Sequence, residues 1–375
     1  MIIAFHANWR KKWKHTVSYT EHVYDPRRSS SSVYCPLYFR LYTMEVSGKK
    51  PNDSEHRNSS AEGDTGNDVF DSSGEMYTGD TTLLWQANND TRGTYQCENF
   101  DEKVLSKMTD LHVKFPQDKS DCLITGMAFK EPNTILLTDN YNHSVKHIDS
   151  VTGRLISYLS LSSPPMDIAT LSTDQAAVTI PDTQRIQIVS IDDELTPNRF
   201  FCVQGACHGI DSSNDKLVVT FPKQHKIDVM CPFGAVLQSI RTDNTGETSL
   251  LSQPWRVCVN YDPEQSVIHV TNFNTSKLLK MSMVTGRQEY VHSYEHLKGP
   301  RGVTVASDGD LITCGYWSRN VQLISANGQR ARTLLSEVDG IDYPHSLCYN
   351  ISQGVVFIGC FGGLRNKLLR YLLHD

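Results

Sequence analysis

The stretch from Ile124 to Ile148, ITGMAFKEPNTILLTDNYNHSVKHI, decides the fold of this chain. It begins with an alternating apolar strand and a Pro-Asn turn. It continues with the β-rich run ILLT and the polar loop DNYNHS, and a third strand begins at VKHI. Alternation with a period of two indicates half-buried strands, and the polar segments indicate the turns between them. These features recur five more times along the chain, so one unit of short antiparallel strands is repeated.

The repeats keep a nearly constant length. Thr138, Thr179 and Thr220 close the second strand of successive repeats at a spacing of 41 residues. The first strand recurs around Met127, Ile168, Ile210, Val257, Val303 and Leu347, and the third strand opens with Val145, Ile186, Ile227, Leu278, Val321 and Leu368. Periods of 41 to 51 residues with several short strands per period are typical of propeller blades. The sequence therefore predicts an all-β fold, a six-bladed β-propeller.

The last repeat lacks one strand. It ends at Asp375 after three strands, whereas a blade needs four, and an open edge strand invites aggregation. The β-like segment LHVKF at residues 111–115 lies just before the first repeat and belongs to none of them. We expect it to pair with the last blade and close the ring. The propeller domain is thus predicted at 104–375, with its closing strand within about 104–118.

Residues 1–103 have a different composition. Residues 45–103 hold thirteen acidic and five basic residues among many Asn, Ser, Gly and Asp, too little apolar material to offset the entropy of ordering the chain. Residues 1–44 hold seven Lys or Arg, and Trp9 and Trp13 flank the basic cluster. This segment is either a basic arm for a membrane surface or nucleic acid, or an unstructured tail. We predict that residues 1–103 form a disordered, low-complexity N-terminal region.

The overall composition indicates a location and excludes some partners. The net charge of −6 argues against wholesale nucleic-acid binding, and no run of about 18 apolar residues would span a membrane. The apolar start is followed at once by basic residues, which is the wrong order for a secretory signal. The ten cysteines include no CxxC pair and several occupy strand positions, so we expect buried, reduced thiols. Together these features predict a cytoplasmic protein with no membrane partner.

The segments SDCLITGMAF, ILLTDNYNHSVKHID, PPMDIATLSTDQAAVTIPDTQRIQIV and CHGIDSSNDKLVVT also carry a family resemblance. In this order and spacing they resemble the NHL-repeat propeller of tripartite-motif (TRIM-NHL) proteins, especially the expanded invertebrate ones. The resemblance covers about residues 104–375. It implies an NHL-type six-bladed propeller that binds protein or RNA, within a family whose full-length members carry a zinc RING, B-boxes and a coiled coil and act as ubiquitin ligases.

The N-terminal part departs from that family. A RING and B-boxes need clustered Cys and His pairs at metal-ligand spacing, but only Cys35 and Cys97 precede residue 104. No coiled-coil heptad is present either, so ligase activity is not carried over to this chain. A truncated ubiquitin-ligase subunit that presents substrate remains an alternative interpretation.

The candidate binding site lies on one face of the predicted propeller. The loop that enters each inner strand and the loop between the second and third strands emerge on the same face. This face gathers cations and aromatic rings on an otherwise acidic chain, with Tyr141 and Phe273 among the rings. The predicted ligand-binding residues are Trp255, Arg256, Arg301, Tyr316, Trp317, Arg319, His208, His345, Lys223, Lys226 and Lys277.

Three interpretations of this face stay open. The first is a non-enzymatic interaction module that binds a protein partner, since cations and rings suit an acidic peptide or a phosphopeptide. The second is single-stranded RNA, because cations contact phosphates and exposed rings stack on unpaired bases. The third is that the cations only solvate the loops, while Trp255 and Trp317 pack between blades.

The sequence also predicts the absence of catalysis. Six-bladed propellers include metal-dependent lactonases and a His-ligated lyase, which place carboxylates, Asn or His around the channel mouth. The entry positions here hold His208 and His345, with Asp167 one position further on, and paired His residues are more often hydrogen-bonded rim residues. No GxSxG, HExxH or Walker motif is present. We therefore predict no catalytic residue, no metal and no cofactor.

Overall fold

The computed structural model describes residues 16–22, 41–47, 100–130, 132–213, 215–241, 251–261 and 266–374. The chain divides into two compact units, Met1–Leu84 and Trp85–Asp375. In the first unit, strands β1 (Thr16–His22) and β2 (Leu41–Ser47) form an antiparallel pair. The rest of the segment before Phe100, for which disorder is predicted, lies outside the described residues.

The second unit consists of short strands. The segment before the repeats carries β3 (Val104–Lys107) and β4 (Leu111–His112). The repeats then give, in chain order, β5 (Ile124–Lys130), β6 (Thr134–Asp139), β7 (Ser144–Asp149), β8 (Leu155–Ser160), β9 (Asp167–Ser172), β10 (Gln175–Ile180), β11 (Arg185–Ile191), β12 (Leu195–Cys202), β13 (Ile210–Ser213), β14 (Lys216–Phe221), β15 (Lys226–Met230), β16 (Val236–Arg241), β17 (Pro254–Asn260), β18 (Val267–Asn272), β19 (Lys277–Ser282), β20 (Gln288–Ser293), β21 (Pro300–Val305), β22 (Leu311–Gly315), β23 (Asn320–Ile324), β24 (Ala331–Leu335), β25 (Pro344–Asn350), β26 (Val355–Cys360) and β27 (Lys367–His374). Single 3₁₀ turns lie at Pro181–Thr183, Pro222–Gln224 and Glu337–Asp339.

These strands form six antiparallel sheets arranged in a ring, so the predicted all-β, six-bladed propeller is confirmed. Blades 1 to 5 are the consecutive groups of four strands from β5 to β24, and blade 6 contains β25, β26 and β27. The first strand of each blade lies innermost and contacts the first strands of its neighbours. The apolar side chains that alternate along the strands fill the space between adjacent blades. No helix long and apolar enough to cross a membrane occurs in the described part of the chain, and the cytoplasmic location stays a prediction.

Both ends of the second unit meet in blade 6. Strand β27 pairs antiparallel with β26, with β3 and with β4, so blade 6 has strands from both ends of the repeats. Leu368 lies opposite Leu111, and Leu372 lies opposite Ser106. Leu111 and Val113 are buried in the same apolar cluster as Phe357 of β26. Because this cluster also includes the first strand of blade 1, the segment before the repeats packs across the seam of the ring.

A ladder of side-chain hydrogen bonds joins one blade to the next. In blades 2, 3 and 4 the threonine near the end of the second strand donates its hydroxyl to a carbonyl of the following blade. Thr179 donates to the carbonyl of His208 at 2.6 Å, Thr220 to that of Trp255 at 3.1 Å, and Thr271 to that of Arg301 at 3.0 Å. In blade 1 the bond to the next blade comes from Thr125, which donates to the carbonyl of Pro165 at 3.3 Å, while Thr138 donates to the carbonyl of Gly126 in its own blade.

The ladder continues through blades 5 and 6 with different side chains. Cys314 takes the threonine position in blade 5, and its thiol lies 3.7 Å from the carbonyl of Pro344. Gly359 takes that position in blade 6, where a Cβ would lie 2.5 Å from Ser346 Oγ. Ser346 donates instead to the carbonyl of Ile124 at 2.8 Å and so joins blade 6 to blade 1.

Candidate functional site

The inner strands surround a central channel with a cavity of about 350 Å³, a size that suits a small ligand. Its walls are mostly backbone and small or apolar side chains, and the charged groups in it are Asp167, Asp211 and Arg256. Asp167 is buried and Asp211 is half-buried. Backbone N–H groups of Ser212 and Val259 donate to Asp211 at 2.8 and 2.7 Å, while burial raises the pKa of that carboxyl to about 6.

Arg256 points into this channel and away from the exposed face on which the sequence analysis put it. Its Nη1 lies 3.1 Å from Asp167 Oδ2, and its Nη2 donates to the carbonyls of Met166, at 3.1 Å, and Thr125. Burial raises the pKa of Asp167 to about 6, and the nearby positive charge of Arg256 limits that rise. Arg256 therefore links blade 4 to blades 1 and 2 inside the ring, and its charge is already paired.

An arginine and three aromatic rings lie together where the channel opens. Arg301, which directly precedes the channel residue Gly302, has its guanidinium carbon 4.0 Å from the ring centroid of Tyr316. The same atom lies 4.8 Å from the Phe273 centroid and 5.0 Å from the Trp255 centroid. A cation over ring faces is attracted by their quadrupoles, so the three rings hold the guanidinium in place.

Two histidines extend this group on either side. The rings of His208 and Trp255 are 4.6 Å apart, and those of Tyr316 and His345 are 6.3 Å apart. We call the set Arg301, Trp255, Phe273, Tyr316, His208 and His345 the mouth cluster. Its members come from blades 3, 4, 5 and 6, because four of them occupy the entry positions of successive inner strands. The tertiary fold thus brings together residues that lie up to 137 positions apart (345 − 208).

Four side-chain nitrogens of the mouth cluster have no hydrogen-bond partner although they are buried. They are Nδ1 of His208, Nε1 of Trp255, Nε of Arg301 and Nδ1 of His345. Burial lowers the pKa of Arg301 to about 10, which leaves the guanidinium charged at neutral pH. Burial, with a smaller contribution from Arg256, lowers the pKa of His208 to about 4, and burial with Arg301 lowers that of His345 well below its usual value. Both imidazoles are therefore neutral.

A chain of ring contacts leads from the mouth cluster to the surface. Tyr141 contacts Phe361 with centroids 6.4 Å apart, and Phe361 contacts Tyr316 at 6.3 Å. Phe273 contacts Tyr316 at 6.3 Å and Trp317 at 4.5 Å. We call these five residues the aromatic arc. Its two ends are open to solvent, since Trp317 is 53% exposed and Tyr141 is 41% exposed.

A glycine makes the contact at one end of the arc possible. Gly299 adopts a φ of +57°, and a Cβ there would lie 3.0 Å from the ring of Trp317 and 3.2 Å from that of Phe273. Both the left-handed backbone and the close ring approach favour a residue without a side chain. The position of Trp317 therefore depends on Gly299.

The remaining predicted site residues have different surroundings. Arg319 forms an ion pair with Glu337 and donates to the hydroxyl of Tyr343, and its guanidinium carbon lies 4.1 Å from the Tyr343 ring centroid. Its charge is therefore already paired with a carboxylate. Lys226 is buried and lies 2.5 Å from Asp228, which removes it from the exposed face. Lys223 is exposed and Lys277 is half-buried.

Tyr343 and Phe361 belong to this site but were not among the residues predicted from the sequence. Both are aromatic and flank strands of blade 6, Tyr343 just before β25 and Phe361 just after β26. These are the same loops that supply His345 and the other face residues. They could have been found from their positions beside the strand ends of the repeat, because nothing in the chemistry of an isolated tyrosine or phenylalanine marks it as a site residue.

A possible metal-ligand set in blade 1 is occupied by a lysine. Among the described residues, Asp118, Cys122 and Asp139 bring ligand atoms within 4.8 Å of one another. Lys146 Nζ lies 2.7 Å from an oxygen of each aspartate and 3.3 Å from the sulfur of Cys122, and it also donates to the carbonyl of Val113 at 2.9 Å. The ammonium group thus fills the position that a cation would take.

Comparisons with known proteins identify the fold and no family. No family model matches the chain, and no curated protein matches it. Virginiamycin B lyase from Staphylococcus aureus is similar in structure, with 14% identity and a TM-score of 0.52 over 73% of this chain and 88% of that chain. A streptogramin B lyase structure matches with 14% identity and a TM-score of 0.52, covering 72% and 98% of the two chains. Hydrazine synthase of Kuenenia stuttgartiensis matches with 15% identity and a TM-score of 0.51, covering 66% and 76%.

These similarities correct the prediction that the chain has no catalytic activity. The structural neighbours include enzymes built on a propeller, so lack of catalysis does not follow from the propeller fold. That prediction was wrong because the absence of known catalytic motifs does not exclude catalysis: a fold places no restriction on which loop residues carry chemistry. At this low identity the likeness shows the fold alone and assigns no reaction to this chain.

Proposed function

We propose that the propeller binds a protein partner through the face that carries the mouth cluster and the aromatic arc. The observation that carries this proposal is the continuous arc itself. Trp, Tyr and Arg are the residues that contribute most to binding energy at protein interfaces. Here they are in mutual contact, and the arc presents Trp317 and Tyr141 to solvent.

The test compares proteins captured by the full chain and by a variant with both exposed ends of the arc truncated. Trp317→Ala with Tyr141→Ala should remove a defined set of partners, because each change deletes an exposed ring and leaves the core intact. Phe233→Ala is the matched control, since Phe233 is 73% exposed in the turn between β15 and β16. An unchanged set of captured proteins with the double variant would contradict the proposal.

Single-stranded RNA is the second candidate, and the exposure of Trp317 favours it. A half-exposed indole is a stacking platform for an unpaired base, and Lys223 adds an exposed cation on the predicted face. Affinity for an unstructured RNA oligonucleotide should then fall steeply as salt rises. Absence of binding at low salt would eliminate this candidate.

The resemblance to NHL-type propellers of tripartite-motif proteins supports both candidates, since it implies protein or RNA binding. Presentation of a substrate to a ubiquitin ligase is the more specific form of the protein-binding proposal. It rests on the resemblance alone. Detection of a RING-containing protein among the partners that the double variant loses would support it.

A further inference from the structure

Arg301 carries a half-buried charge that no carboxylate in the described structure neutralises. Its guanidinium is packed against three rings, its Nε has no hydrogen-bond partner, and none of the described carboxylates forms an ion pair with it. The other arginine nearby, Arg256, has Asp167 as its partner inside the channel. A partly desolvated cation without an anion is unfavourable, so a position that keeps one is suited to bind an anion.

The groups around Arg301 can supply the other contacts that an anion needs. The neutral imidazoles of His345 and His208 and the indole of Trp255 can each present one N–H group. All three have a buried nitrogen without a partner, and His345 is only 4% exposed. Oxygen atoms of carboxylates and phosphates accept several such bonds at once, and the planar guanidinium matches them with two parallel bonds.

We infer that the mouth cluster is a receptor for one oxyanion, a carboxylate or phosphate group on an extended segment of a partner protein. Arg301 is its charged anchor, and His208, Trp255 and His345 are its neutral donors. This inference rests on the proposed function, because the aromatic arc beside the cluster would hold the rest of the segment.

The experiment uses the full chain and three kinds of probe. They are peptides with one glutamate in an apolar, aromatic-rich segment, the same peptides with phosphoserine or glutamine at that position, and inorganic phosphate. Binding is measured by titration calorimetry. The wild-type protein should bind the glutamate or phosphoserine peptide at least about 10-fold more tightly than the glutamine peptide, because one charge-assisted contact is lost. The preferred peptide then identifies the carboxylate or the phosphate as the source, and inorganic phosphate should compete only with a phosphopeptide.

Arg301 variants test the anchor directly. Arg301→Gln should lower affinity for the preferred anionic peptide at least about 10-fold and leave affinity for the glutamine peptide unchanged. Arg301→Lys should restore part of the loss, because it keeps the charge without the bidentate geometry. Arg287→Gln is the matched control, since it removes the same charge from an exposed position in the turn between β19 and β20. His345→Phe provides a second test that keeps a ring at a buried site.

The outcomes separate this inference from the proposed function. Equal affinity for the anionic and glutamine peptides, or unchanged anionic affinity of both Arg301→Gln and His345→Phe, overturns the inference. If partner capture still depends on Trp317 and Tyr141 in that case, the proposed function stands without it. Arg301-dependent binding of an RNA oligonucleotide, with no peptide bound, also overturns the inference and favours the second candidate function.

Discussion

The buried lysine of blade 1 allows a quantitative test of how the ring is closed. Lys146 contacts two parts of the chain at once, because Asp139 belongs to blade 1 while Val113 and Asp118 belong to the segment before the first repeat. Burial alone would lower the pKa of Lys146, but attraction to Asp139 and hydrogen bonds to both aspartates outweigh burial and raise it. We predict that Lys146→Met destabilises the propeller strongly, since it leaves two fully buried carboxylates without their cation.

The expected magnitude follows from the surroundings of the ammonium group. Removing one partner of a buried ion pair costs about 3–5 kcal/mol in the free energy of unfolding, because the remaining charge stays buried. We expect about 4 kcal/mol here, since methionine keeps the apolar volume of the lysine stem. For a domain of this size the loss corresponds to a fall in Tm of about 7 °C. Adding Asp118→Asn and Asp139→Asn should recover most of the loss, because no buried charge then remains.

The sign of the pH effect distinguishes this mechanism from a simple packing defect. In the wild-type protein burial would raise the pKa of Asp139, but Lys146 outweighs that effect and lowers it. Asp139 therefore contributes stability above its unfolded pKa, which is lost as pH falls through the folded value. Without Lys146 the pKa of Asp139 should instead lie above its unfolded value. The difference in unfolding free energy between variant and wild type should therefore shrink as the pH falls from about 7 to about 5.

Urea unfolding monitored by circular dichroism measures these differences. Lys114→Met is the matched control, because Lys114 lies in the same segment and pairs with Asp121 at 2.9 Å on the exposed surface. A surface pair of this kind contributes about 0–1 kcal/mol. A loss below about 1 kcal/mol for Lys146→Met, or a loss that does not change with pH, would refute the reasoning.

Three further predictions concern single positions. Gly299→Ala should cost about 1–2 kcal/mol in unfolding free energy and change the fluorescence of Trp317, because its φ is positive and its Cβ meets the indole; an unchanged spectrum would count against the contact. Burial, with a smaller contribution from Lys280, lowers the pKa of His269 to about 3, so between about pH 7 and pH 5 the histidine is protonated in the unfolded state but not in the folded state. This difference should cost the wild-type protein about 2 kcal/mol of unfolding free energy over that range. His269→Leu should abolish this loss, as measured by urea unfolding at both pH values. Cys314→Thr should stabilise the protein by about 0.5–1.5 kcal/mol, because a hydroxyl donates to the Pro344 carbonyl better than a thiol; a lower Tm would contradict this.

The fold was predictable because its signal is repeated. The threonine spacing and the strand alternation depend on local properties, and both recur in enough blades to outweigh irregular turns. The departures from the repeat were harder to interpret. Cys314 and Gly359 replace the threonine in blades 5 and 6, and the structure shows that Ser346, from a different strand, supplies the missing hydroxyl.

The candidate site was predictable only in part, because it depends on side-chain direction. Trp255 and Arg256 are neighbours, yet the first lies at the mouth and the second inside the channel, and the pairing of β17 with β18 shifts register between Pro254 and Arg256. The pairing of Lys226 with Asp228 could have been predicted, since residues two apart in a strand share a face. The pairing of Arg319 with Glu337 could not, because it joins a loop within blade 5 to the segment that leads into blade 6.

The blade-to-blade threonine ladder has a consequence for molecular recognition. Its acceptors are the backbone carbonyls of His208, Trp255 and Arg301, three of the four residues that supply unpartnered nitrogens at the mouth. The backbone of each of these residues is therefore held by the preceding blade before any ligand arrives. Ordering a side chain on binding costs about 0.5–1.5 kcal/mol, so donors that are also held by ring contacts, as Arg301 is by Trp255 and His208 is by Trp255, retain more of their contact energy as affinity. Because the donors occupy equivalent positions on successive blades, the distances between them are set by the geometry of the ring. A ligand must therefore match donor positions that are already fixed.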